Sequence, residues 1–197
     1  MSITLMIVAA ILALVFFWGM TVYNRIIVLK NEIQNAYGQI DVQLKRRYDL
    51  IPNLVETAKK YLSHERETLE AVIAARSRAH SASEQLHHAP ADGKAIKDLN
   101  QAEAMLHGSL GRLLALRESY PELKADRTIA ELNEELTSTE NRVGFARQAY
   151  NDAILAYNIA AEQFPDLLVA KLFGFGGLPM LQATQSDAER QAPKVQF

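Results

Sequence analysis

The stretch Ile3 to Val22, ITLMIVAAILALVFFWGMTV, holds twenty residues without a charge and begins almost at the first position. As a helix rising about 1.5 Å per residue it reaches roughly 30 Å, the thickness of a bilayer's hydrocarbon core. It constrains all that follows, because it places the rest of the chain at a membrane surface. A cleaved leader would carry a basic start, an apolar core of about 7–15 residues and a small-x-small cleavage site. This run is longer and has neither flank, so residues 1–23 are read as a retained transmembrane anchor. Trp18 and Tyr23 sit near its end, where amphipathic rings favour the interface. Arg25 and Lys30 follow it while Met1 and Ser2 offer only an amine. That bias puts the N-terminus outside and the domain in the cytoplasm.

Beyond the anchor the apolar positions step by three and four. Ile33, Tyr37, Ile40 and Leu44 open one series, and Ile51, Leu54, Ala58 and Tyr61 resume it. A second reads Ile96, Leu99, Leu106, Leu110, Leu113, and a third runs unbroken from Ile129 to Phe164. A 3.5-residue repeat is the seam of left-handed, coiled-coil-like packing. No strand-like alternation of useful length appears, so the fold class is all-α.

Breakers and caps set the boundaries. His87 to Gly93 reads as a loop with Asp92 capping the next helix. Tyr120-Pro121 ends that helix, and Asp126 or Thr128 caps the following one, Thr128 and Glu131 having capping-box spacing. Phe164-Pro165-Asp166 closes it. Asp49-Leu50-Ile51-Pro52 is read as a reversal, with Pro52 in the first turn of a new helix capped by Asp49. Helices then cover 24–48, 50–86, 94–120 and 126–164, short and long in alternation, and pair as an up-and-down four-helix bundle over residues 24–164. Residues 165–181 are apolar and Gly-interrupted. They are read as a cover for the bundle end, with an interfacial segment resting on lipid as the sharper alternative. Residues 182–197 read as a disordered tail.

The sequence offers little for catalysis. Cysteine is absent, which excludes disulfides, thiolate metal sites and Cys nucleophiles. A formal charge of -2 gives no field for nucleic acid. His80, Glu84, His87 and His88 have i,i+4 spacings but stand where a helix runs into a loop. Glu84 and His87 match the Glu-x-x-His of di-iron bundles, yet neither His64 nor His107 has a Glu three residues before it. His64-Glu65 lacks the second His of a zincin, and Gly174 to Gly177 lacks the Lys-Ser/Thr of a phosphate loop. No catalytic, cofactor or metal residue is therefore assigned.

A polar constellation does stand out. Lys45, Arg46, Arg47, Asp49, Asn53 and Glu56, with Asp41, surround the expected reversal. Tyr150-Asn151 and Tyr157-Asn158 recur one heptad apart, which sets Asn151 and Asn158 beside a seam, where amides fix helix register. Glu140, Asn141, Arg142 and Arg147 are given similar register roles.

Several of these stretches resemble one family. Tyr23-Asn24 and the run from Gln39 to Thr57, QIDVQLKRRYDLIPNLVET, resemble the signature of the LemA family of bacterial membrane proteins. So do His64-Glu65, Ala74-Ala75-Arg76, Thr139 to Val143, Ala146-Arg147, Tyr150-Asn151, Tyr157-Asn158, Phe164-Pro165 and Gly174-Phe175, in order. Tyr37-Gly38 departs from the pattern, and the tail from Gln182 does not share it. The resemblance implies an N-terminally anchored helical bundle in a bacterial cell (inner) membrane, without established catalytic residues. The expected function is a non-enzymatic scaffold or adaptor, single-pass in the membrane and working through protein partners or as a homo-oligomer, with no nucleic acid and no cofactor. The alternative is a ligand- or metal-responsive sensor using the polar faces near Arg47 and Asp49 or His80 to His88.

Overall fold

The computed structural model describes residues 3–182, and every regular element among them is helical. The helices are α1 (Ile3–Lys59), α2 (Arg66–His88), α3 (Gly93–Ser119), α4 (Pro121–Ala125), α5 (Arg127–Glu162) and α6 (Asp166–Leu172). The expectation of a disordered 182–197 tail falls, apart from Gln182, outside the described residues.

α1 is one helix of 57 residues, about 86 Å long, that carries the apolar run directly into the helical body. Its residues 3–17 are all exposed, and burial begins at Val22 and Ile26. From there Ile33, Tyr37, Ile40, Leu44, Arg47, Tyr48, Ile51, Leu54, Val55 and Ala58 face the core in unbroken three-four steps.

The reversal expected at Asp49–Pro52 does not exist. Pro52 lies inside α1, and the chain turns instead at residues 60–65. A mid-helix proline strands the carbonyl four residues earlier by removing its donor. That carbonyl is Tyr48 O, and Arg76 Nε reaches it from α2 at 3.0 Å, supplying a replacement donor. The separate helices expected over 24–48 and 50–86 are accordingly corrected to α1 and a shorter α2.

Helix length does not pair 24–48 with 94–120 or 50–86 with 126–164. α1 packs mainly against α5, and α2 against α3, with α1 also touching α2. The part of α1 beyond residue 23 and α5 are each 36 residues long, while α2 and α3 have 23 and 27. Bonded pairs fix the directions. Tyr37 meets Ser83 and Arg76 meets Tyr48, so α1 and α2 are antiparallel; Tyr37 meets Tyr150 and Arg46 meets Glu135, so α1 and α5 are too.

At the end far from the apolar run, Tyr61 donates to Asp126 Oδ2 (2.7 Å) and Tyr120 to Glu65 Oε1 (3.3 Å), tying the turns together. Asp126 caps α5 through Ile129 N at 3.0 Å. At the near end Asp92 caps α3, accepting from Lys94 N (2.7 Å) and Ala95 N (3.3 Å). α6 folds back beside the base of the apolar run: Phe173 and Phe175 lie 4.8 and 5.7 Å from the Tyr23 ring, and Arg25 sits 3.7 Å from Asp166.

Candidate functional site

The core is not purely apolar. Halfway along the body, Arg47 from α1, Glu103 from α3 and Arg147 from α5 are 2%, 4% and 8% exposed. Arg47 Nη1 donates to Glu103 Oε2 at 2.8 Å, and the Tyr48 hydroxyl donates to Oε1 at 2.6 Å. Both carboxylate oxygens are thereby engaged. Arg147 Nε has no hydrogen-bond partner. Burial lowers the Arg147 pKa, with Glu103 opposing the shift and Arg47 reinforcing it. Burial likewise raises the Tyr48 phenol far above its ordinary value, and the Glu103 charge adds to the effect.

A second polar layer lies next to it. The Tyr37 hydroxyl stands 3.0 Å from both the carbonyl and the Oγ of Ser83, and Ser83 Oγ is 3.4 Å from Asp41 Oδ1. His87 Nδ1 is 3.0 Å from the other Asp41 oxygen. Serine, histidine and aspartate thus meet, but in an order unlike a hydrolytic triad: the imidazole stands on Asp41 rather than between it and Ser83. Ser83 is also nearly buried, at the wall of a cleft of about 310 Å³ that it lines together with Asp41, Lys45, Tyr48, His80, Glu84, His87 and His88. Among the described residues no cluster of three or more His, Asp or Glu side chains has the geometry to hold a metal.

The third arrangement lies between α3 and α5 near the apolar end, where the C-terminal segment bridges the two helices. Residues Leu178 to Gln182 run there without regular secondary structure and meet three asparagines. Asn158 Nδ2 donates to Leu178 O (2.8 Å) while Leu178 N donates to Asn158 Oδ1 (2.7 Å). Asn151 repeats the pairing with Leu181 O and N, both at 2.9 Å. From α3, Asn100 donates to Met180 O (3.1 Å) and accepts from Gln182 N (2.9 Å). Leu181 is buried beneath them, and Pro179 packs on Gly93, where a Cβ would come within 3.2 Å of its ring.

The residues singled out from the sequence are dispersed by this architecture. Arg47 and Arg147 enter the buried cluster, and Arg46 pairs with Glu135 across the α1–α5 surface. Lys45 lines the cleft, Asp49 lies 4.0 Å from Arg76, and Glu56 pairs with Lys59. Asn53 and Asn141 are exposed, and Glu140 lies 3.3 Å from His107. Asn151 and Asn158 grip the C-terminal segment. Glu103, Ser83 and Asn100 were not singled out. For Glu103 a signal existed: the series Ile96, Leu99, Leu106, Leu110 skips the seam position that position 103 occupies.

The sequence pattern of the LemA family matches residues 36–197. Among curated relatives, the magnetosome proteins MamQ 1 and MamQ 2 of Paramagnetospirillum magneticum are 27% identical over 78% of this chain and 62% of theirs. The chain therefore spans less than two thirds of those relatives. Magnetosome protein MamQ of Magnetospirillum gryphiswaldense is also 27% identical, over 87% of this chain and 69% of its own. Protein LemA of Metamycoplasma hominis is 24% identical, over 83% and 70%.

Proposed function

The chain belongs to the LemA family, and on that premise we propose that it is a non-enzymatic scaffold or adaptor held by one N-terminal span in the bacterial cell (inner) membrane. The observation that carries this reading is the continuity of α1. A stretch long and apolar enough to cross a bilayer, exposed throughout residues 3–17, runs without a break into the helical body. The body is thereby a stiff rod rather than a domain on a loose tether. Its four long helices act as an up-and-down bundle on the cytoplasmic side, the side that Arg25 and Lys30 favour. Phe164, Leu168, Leu172 and Phe173 are exposed close to the anchor, which supports an interfacial seat for α6 in the lipid headgroups. Both oxygens of Glu103 are engaged, and Ser83 Oγ stands against Asp41 and Tyr37 rather than against an imidazole, so the polar clusters support structure rather than turnover.

Anchoring concentrates copies and partners in two dimensions, so weak side-by-side contacts between rods become effective. The test is cross-linking of the full chain in native membranes after an alkaline wash. We expect it to stay in the pellet and to give reproducible adducts; a washed-off or strictly monomeric chain without partners overturns the reading. The cleft between Asp41 and His87 favours a second reading, a ligand-responsive sensor. A thermal shift of several degrees with an anionic or divalent ligand, lost in His87→Ala, would decide for it.

A further inference from the structure

The asparagine arrangement between α3 and α5 resembles a peptide reader more than a fixed joint. Asn151 and Asn158 are seven residues apart, about 10.5 Å along α5. Each engages the N–H and C=O of a single residue, and those two residues, Leu181 and Leu178, are three apart. A β-strand turns successive residues to opposite sides with a period of two. Two residues three apart presenting both backbone groups to one helix face instead require a period of three. The polyproline-type helix has that period and advances about 9 Å in three residues, close to the spacing of the amides. Pro179 between the two leucines suits that form, since its ring fixes φ and it has no N–H to satisfy. Asn100 holds the opposite edge through Met180 O and Gln182 N.

All six polar bonds go to main-chain atoms, so they read conformation and not sequence. Selectivity comes from the side chains: Leu181 buried, Leu178 half-buried, Pro179 against Gly93, and Met180 turned outward. The segment is joined to α6 only through Phe173, Gly174, Phe175, Gly176 and Gly177, Gly174 having φ +74°. A short glycine-rich joint lets such a strap leave its seat without unfolding a helix.

We propose that Asn100, Asn151 and Asn158 form a docking groove for an extended, proline-containing segment of a partner protein, apolar at two positions three apart, which the chain's own Leu178–Gln182 occupies until displaced. This rests on the protein-contact reading above and names the chemistry of one partner. A bundle without such a groove would still cross-link through its other faces, so the two readings fail separately.

The probe is an unlabelled synthetic peptide of sequence GGLPMLQ, corresponding to Gly176–Gln182, with both ends blocked and added to the full-length protein in mild detergent. In the unsubstituted chain, saturating peptide should hold the strap open and speed amide exchange of Leu178 and Leu181 severalfold while exchange in α5 stays unchanged. A strap closed about nine-tenths of the time weakens apparent affinity about tenfold. Leu181→Asp, which disfavours the seated strap, should therefore tighten peptide binding about tenfold. Asn151→Ala with Asn158→Ala should abolish that binding, and a peptide with Asp at both leucine positions should not bind. Unchanged Leu178 and Leu181 exchange in the unsubstituted protein overturns the proposal, as does peptide binding that survives loss of both asparagines.

Discussion

Glu103→Gln removes the buried negative charge from a place where two buried guanidiniums converge. In the intact protein, Arg47 at 2.8 Å and Tyr48 at 2.6 Å occupy its two oxygens, and Arg147 completes a buried group with one excess positive charge. The amide is nearly isosteric and still accepts a bond from the Tyr48 hydroxyl, so packing and that bond survive. What is lost is the counter-charge of Arg47. Stranding one member of a buried ion pair costs about 3–5 kcal/mol, and the retained acceptor places this variant near the lower end. Whole domains are stable by only about 5–15 kcal/mol, so the loss is a large fraction. With a urea dependence of about 2 kcal/mol per molar, the midpoint should fall by about 1.5 M. The assay is urea unfolding of the full-length protein in mild detergent, followed by circular dichroism at the helical band. Arg47→Met combined with Glu103→Gln serves as companion, because it keeps the acceptor of the Tyr48 hydroxyl and leaves Arg47 no charge to strand, so it should cost less than Glu103→Gln alone. A Glu103→Gln midpoint within about 0.5 M of the parent would show that water screens the pair, and would refute the reasoning.

Other consequences follow from the same geometry. Arg147→Met removes a guanidinium whose buried Nε has no hydrogen-bond partner and leaves the Arg47–Glu103 pair intact, so its urea midpoint should hold or rise, whereas Arg47→Met should lower it. Arg76→Leu orphans the Tyr48 carbonyl and should cost about 1–3 kcal/mol; in a Pro52→Ala background, where a backbone donor returns, the same change should cost clearly less, which a double-mutant urea cycle measures. Burial raises the Tyr37, Tyr48 and Tyr150 phenols well above the ordinary tyrosine range. The folded state therefore keeps protons that the unfolded state releases near pH 10, so their stabilisation is complete below that pH and declines as pH rises above it. Ultraviolet titration should show these three rings ionising only together with loss of helix, and their titration ahead of unfolding would contradict the burial.

Much of this fold was legible, and the misreading was local. The three-four periodicity located α3 and α5 closely, and Asp92 and Asp126 were recognisable as caps. At Pro52 the local signal of a helix-breaking proline conflicts with the seam that runs through it, and the seam prevails. Leu44, Arg47, Tyr48, Ile51, Leu54, Val55 and Ala58 keep one phase across the proline, which two helices meeting at a turn have no reason to share. What no local pattern could reveal was Arg76, 24 residues later, supplying the missing donor. Asn151 and Asn158 were visible beside a seam, but their partners are backbone atoms of a segment 20 and 30 residues away in sequence. Such pairings carry no periodicity of their own. Glu103 was the reverse case, since its polar character at an otherwise apolar seam position was itself the signal.

That gap in the α3 seam and the interruption at Arg47 in the α1 seam share a cause. Apolar heptads on long helices specify burial but tolerate slippage by a whole repeat, because every knob still finds a hole. A slip of α1 by seven residues, about 10.5 Å, would preserve most of its packing with α5. It would also pull Arg47 away from Glu103 and carry Tyr48 off the same carboxylate, leaving ionised groups buried without partners at a cost of about 3–5 kcal/mol. The register of α1 matters more here than in a free-standing bundle, since the same helix carries the apolar run. Sliding it by one repeat would move Tyr23 and Arg25 away from Phe173 and Asp166 and change the height at which the body stands above the anchor. Arg47 and Glu103 join α1 to α3, elements whose backbones are not close neighbours, and so fix the one alignment that the apolar seams leave free.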